Sequence, residues 1–207
     1  MKLKKKIKKI WYSILLILLV VGGIFAYNYL FNPNEVKEAK VVSEIKKYGY
    51  KLKDNKTAEY KKMFEELKEI LEADEVDEEE YVKKISEMFI YDFYSLKDKS
   101  SKTDIGGVDF VEESVLPNFL ENAQDTYYKY VENNIYKNRR QNLPVVTDIK
   151  IEEVKKDSFK YGKKTDDEAY IVKASWDYTD SNFSDYQKSG ELVFVHDDIK
   201  LVLVELQ

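Results

Sequence analysis

The chain contains one histidine and no cysteine. His196 is followed by Asp197 and Asp198, and an imidazole beside carboxylates can pass a proton near neutral pH. The same triplet also reads as a strand end entering a solvated turn. One His and no thiolate leave zinc without a ligand set. Asp74, Glu75, Asp77, Glu78, Glu79 and Glu80 form an acidic run, but it lacks the alternating spacing and glycine of a calcium loop. Its other reading is a helix start whose carboxylates meet the positive end of the dipole. Two further acids lie among aromatics, Asp92 beside Tyr91, Phe93 and Tyr94, and Asp177 between Trp176 and Tyr178. A carboxyl in an apolar cavity can be held protonated and serve as an acid. Asp92, Tyr94 and Trp176 are therefore the candidate cavity residues. The plainer reading has Asp92 bonding a loop backbone and Asp177 on the wet face of a strand. Gly106-Gly107 is not followed by the Lys-Ser/Thr of a phosphate loop, and no nucleophile elbow occurs. No catalytic residue, metal or cofactor is assigned.

What positions these residues begins with a charge-free stretch of 22 residues, 10–31. As a helix it reaches about 33 Å, enough to cross a bilayer core of roughly 30 Å. Ile10, Trp11, Leu15, Leu18, Val21, Phe25 and Phe31 are its expected lipid-facing body and ends. Lys2, Lys4, Lys5, Lys6, Lys8 and Lys9 precede it. That asymmetry keeps the N-terminus cytoplasmic, and Lys4, Lys5, Lys6, Lys8 and Lys9 can hold anionic headgroups. A cleaved signal peptide is the competing reading. The run exceeds a signal h-region of roughly 7–15 residues, and no small-x-small site follows. An uncleaved signal anchor in the cell membrane is expected, with the remainder extracytoplasmic.

No acid precedes Glu35, so the chain beyond the lysine tail holds 28 basic and 39 acidic residues, net −11. Such a surface repels phosphate, which argues against nucleic-acid partners. The expected organisation is a basic tail (1–9), the anchor (10–31), a juxtamembrane segment (32–47) and one α+β domain (48–207). In 32–47, Val36, Ala39, Val42 and Ile45 allow a short helix, and a solvated stalk fits as well. Tyr48, Tyr50 and Leu52 alternate as in a strand.

Thr57 is placed to cap a helix whose apolar face is Tyr60, Met63, Phe64, Leu67, Ile70 and Leu71. Asp77 and Glu80 fit a capping box before Val82, Ile85, Phe89, Phe93 and Leu96. The far end of that helix is aromatic nearly all round, so it is expected to be buried on most sides. Residues 97–107 are loop chemistry, and 109–116 allow a short helix. Pro117 then opens a third long helix through Leu120, Ala123, Tyr127, Val131 and Ile135, ending near residue 138. Tyr128 and Tyr130 fall off that stripe and are the candidate partner surface. The period then switches to two in four segments, around Ile149, Val172, Phe194 and Leu203. Residues 157–167 and 179–189 read as long connections, and 197–200 as a hairpin turn. The expected core includes Phe64, Phe89, Phe93, Tyr127, Trp176 and Phe194.

Three helices followed by a curved four-stranded antiparallel sheet give an α+β domain. That order resembles the cone-shaped fold of nuclear transport factor two-like proteins. Behind a signal anchor it resembles the bitopic scaffold proteins of type IV secretion and conjugation systems. The resemblance implies a protein-interaction subunit of a bacterial envelope assembly, with other envelope proteins and further copies of itself as partners. The alternative is a small-ligand-binding or enzymatic domain using the helix–sheet cavity.

Overall fold

The computed structural model describes residues 20–23 and 39–207. Of the expected span 10–31 only 20–23 are described, and they are helical. The lysine tail and the rest of the expected anchor lie outside the described residues. Among the described residues no helix is long and apolar enough to cross a membrane.

The domain is α+β. Strands β1 (Val41–Ile45) and β2 (Tyr50–Lys53) form an antiparallel hairpin. Part of the segment read as helix or stalk is therefore a strand. Its last residue, Ile45, is buried beside Tyr48, Tyr50 and Leu52. Gly49 turns the hairpin at φ 72°, a left-handed conformation that costs glycine little.

Helix α1 (Ala58–Leu71) starts where expected: the Thr57 hydroxyl accepts from the Tyr60 amide at 3.2 Å. It buries Tyr60, Phe64, Leu67 and Leu71. Helix α2 (Glu78–Tyr94) is capped by Asp77, whose Oδ1 accepts from the amides of Glu79 and Glu80. The acidic run is thus used at the dipole's positive end. Every residue from Met88 to Leu96 is buried, so α2 is the central rod of the core.

Helix α3 (Leu116–Asp125) is shorter than its apolar stripe predicts. The chain breaks at Thr126 (φ −117°, ψ −96°). The break turns Tyr128 inward, where its hydroxyl donates to the Phe93 carbonyl at 2.6 Å and accepts from the Gly106 amide at 3.0 Å. Tyr128 is fully buried, so it is not a surface residue. Tyr130 remains 76% exposed. The short helix expected over 109–116 is a single 3-10 turn, Val108–Phe110.

The sheet runs β3 (Val146–Tyr161), β4 (Lys164–Tyr178), β5 (Ser189–Asp197) and β6 (Lys200–Leu206), all antiparallel in that order. Tyr170, Val172, Ala174, Trp176 and Tyr178 alternate inward as their period requires, with Leu192, Phe194, Leu201 and Leu203 beside them. The expected long connection at 157–167 does not exist. β3 and β4 continue to Tyr161 and Lys164, which pair across a two-residue turn at Gly162. Both faces there are mostly solvated, so no apolar alternation marks the strands. A small second cluster, Ala169, Val195 and Val202, lies on the opposite face under Phe159 and Tyr161.

Candidate functional site

Asp92 sits on the last turns of α2 and is nearly fully buried. Lys99 Nζ reaches its Oδ1 at 2.8 Å, Lys56 Nζ its Oδ2 at 2.6 Å, and the Gly107 amide its Oδ2 at 2.9 Å. Burial would push this carboxyl up, but Lys99 and Lys56 together bring it down to about 2. With both its oxygens bonded to lysine ammonium groups, the ionised form is the one this site favours. Lys99 is itself buried, and Asp92 holds its pKa up against that burial.

The surrounding loop is fitted to this cluster. A Cβ on Gly106 would fall 1.9 Å from the Asp92 carbonyl oxygen, so only glycine lets the loop press onto α2. Arg139 closes the other side, donating to the carbonyls of Lys99 (2.9 Å), Lys97 (2.8 Å) and Glu132 (3.0 Å). Asp92 therefore takes the plainer of its two roles, organising a loop, with two lysines that sequence reading did not connect to it.

His196 lies away from that cluster. Its Nδ1 is 2.8 Å from Asp166 Oδ2, and its own amide donates to the same oxygen at 2.7 Å. Asp166 is thus the carboxylate partner, rather than Asp197 or Asp198. Glu78 Oε1 approaches Nε2 at 3.6 Å, and Tyr170 donates to Glu78 Oε2 at 2.9 Å. Burial opposes ionisation of Asp166, yet hydrogen bonds from the amides of His196 and Glu168 hold its carboxyl below the usual range. The cluster ties the β3–β4 hairpin to β5 and to the start of α2. His196 lines neither of the two cavities described below. Asp177 is exposed and pairs with Lys188 at 2.8 Å, as its odd register on β4 predicts.

A separate feature is an open groove between α3 and the edge strand β6. It has a volume of about 480 Å³. Tyr94, Phe119 and Tyr127 form its aromatic floor and wall, Asn122 lines the helix side, and Glu205 and Leu206 the strand side. Phe93 also lines it, stacked on Tyr127 at 5.9 Å and tilted against Phe119 at 5.2 Å between ring centroids. Of the three candidate cavity residues only Tyr94 lines this groove. Trp176 is buried deeper, its ring centroid 4.5 Å from that of Tyr94, and its Nε1 donates to Tyr178 at 3.1 Å. A second cavity of about 540 Å³ between α1, α2 and β3 is charged. There Lys84 bridges Glu66 and Glu87 at 2.8 and 2.6 Å.

The groove could not be read from the sequence, because its two walls, α3 and β6, lie far apart in the chain. The one available signal was the surplus of aromatics between residues 119 and 136. No family model, no curated protein and no solved structure matches the chain.

Proposed function

We propose that this chain is a single-pass, membrane-anchored protein whose extracytoplasmic α+β domain works by contact, as a scaffold subunit of a bacterial envelope assembly. A conjugative or secretion machine is the setting that the resemblance to cone-shaped scaffold domains suggests. The observation that carries the contact reading is the open, aromatic-lined groove between α3 and β6. Half-buried Phe119 and Tyr127 beside polar Asn118, Asn122 and Glu205 give the mix of aromatic centre and polar rim found at protein interfaces. The competing ligand-cavity reading rested on Asp92, and its carboxylate is fully occupied by two lysines and a backbone amide. Tethering to a membrane would raise the effective concentration of membrane-bound partners, so a modest interface suffices.

Because the chain has no cysteine, one variant tests both halves. Asn122→Cys is treated on intact cells with a membrane-impermeant maleimide carrying a photoactivatable benzophenone, then irradiated. Labelling without lysis, followed by a discrete cross-link to another envelope protein, is the expected result. Labelling only after lysis would place the domain inside. Labelling without any adduct would remove the contact reading.

A further inference from the structure

The two edges of the four-stranded sheet are treated differently. β3 is broken by register shifts between Thr147 and Lys150, Ile151 and Glu153, and Asp157 and Phe159. It also carries Lys150, Lys155 and Lys160. Bulges and lysines are how an edge strand is kept from pairing. β6 has a short apolar sequence with one register shift, where β5 steps from Val193 to Phe194.

The outer edge of β6 is covered for only part of its length. The Leu201 amide donates to Tyr81 Oη at 3.2 Å, and the Glu112 amide donates to the Leu203 carbonyl at 2.9 Å. Val111 makes a parallel bridge to Leu203. The chain has thus begun a fifth-strand track at Val111 and Glu112. It then leaves that track into α3. Past that point the Gln207 amide and carbonyl both pair with Glu191, at 2.9 and 3.1 Å. In an antiparallel ladder alternate residues face opposite neighbours, so the amide and carbonyl of Leu206 face away from β5, toward the groove. Among the described residues nothing pairs with them. An unpaired edge beside an aromatic wall is matched by an extended backbone, which supplies both donors and acceptors.

We propose that the α3–β6 groove takes an extended segment of a partner protein as an added strand on β6, continuing the track that Val111 and Glu112 start. This rests on the contact reading above and names the kind of partner. The segment is apolar on the side facing Phe119, Tyr127 and Leu206, and basic elsewhere. Glu205 is the one charged side chain lining the groove, no cation lines it, and the chain beyond the lysine tail carries net −11.

The test uses the full-length chain in detergent and a fluorescein-labelled heptapeptide, Lys-Val-Lys-Val-Lys-Val-Lys, blocked at both ends. Saturable binding is expected by anisotropy, at least tenfold weaker for the peptide with Glu in place of Lys. It should be at least tenfold weaker also for the peptide whose central Val is replaced by Pro, wherever strand pairing is the mode. Asn122→Arg in the protein should weaken binding at least tenfold, while Glu152→Gln on the β3 edge should not. The amide of Leu206 should exchange at least tenfold more slowly with peptide bound. Binding that ignores Asn122→Arg, or unchanged exchange at Leu206, overturns strand addition. If a cross-link from position 122 persists in cells despite that result, the contact function stands and the partner docks in another form.

Discussion

At Asp92 one carboxylate is shared by Lys99 and Lys56 in a site with almost no solvent. Removing one member of a buried ion pair leaves charge without compensation, which costs about 3–5 kcal/mol. Asp92→Asn is expected to lose that much stability in urea unfolding at pH 7. Adding Lys99→Met should recover part of it, because the orphaned ammonium is gone. The pH dependence has a definite sign. The Asp92 carboxyl titrates near 3.8 when unfolded and about 2 when folded. Its contribution is therefore complete above about pH 4 and is lost as pH falls toward 2, on the order of 2 kcal/mol. The parent should lose stability across that window, and Asp92→Asn should lose less. The acidic member of this cluster was visible in the sequence as a charged residue inside an aromatic run. Lys56 and Lys99 were not, because nothing in a lysine-rich chain distinguishes a buried lysine from a solvated one.

The elements that were legible are those with a strong period and a cap: α1 behind Thr57, α2 behind Asp77, and the inward alternation of β4. The elements misread are those whose limits are set by distant contacts. The stripe through Tyr127, Val131 and Ile135 has helical spacing, yet the gain from burying Tyr128 against Phe93 and Gly106 ends α3 at Asp125. The β3–β4 hairpin was missed for the opposite reason, since a strand solvated on both faces carries no pattern. These two tyrosines separate the alternatives. Tyr128→Phe keeps the ring but strands the Gly106 amide, so it should cost about 1–3 kcal/mol. Tyr130→Ser, on a side chain 76% exposed, should stay within about 0.5 kcal/mol. Equal effects in urea melts would mean that α3 continues as the sequence stripe suggests.

For the whole molecule the boundary of the folded domain matters most, because on the anchored reading proposed above it would set how much chain lies between the domain and the membrane. The sequence places that boundary at residue 48, where aromatic alternation begins. The compact unit instead runs Ala39–Gln207. β1 closes against β2, with the Asp54 amide donating to the Lys40 carbonyl at 2.9 Å and the Lys40 amide to Asp54 Oδ1 at 3.1 Å. Ile45 is 1% exposed, and the Tyr48 ring packs edge-on to Tyr81 at 5.6 Å. Tyr81 in turn shares a 2.7 Å hydrogen bond with Tyr50 and accepts from the Leu201 amide. β1 thus braces the path from the N-terminal hairpin through α2 to the covered half of β6. A fragment starting at residue 48 loses Ile45 outright and leaves β2 an unpaired strand. Deleting one buried aliphatic side chain costs about 2–5 kcal/mol. A fragment of residues 39–207 should therefore unfold in one cooperative step in urea. The fragment 48–207 should be less stable by at least about 2 kcal/mol, with faster amide exchange at Leu201. Equal midpoints for the two fragments would show that β1 is an appendage of the folded domain.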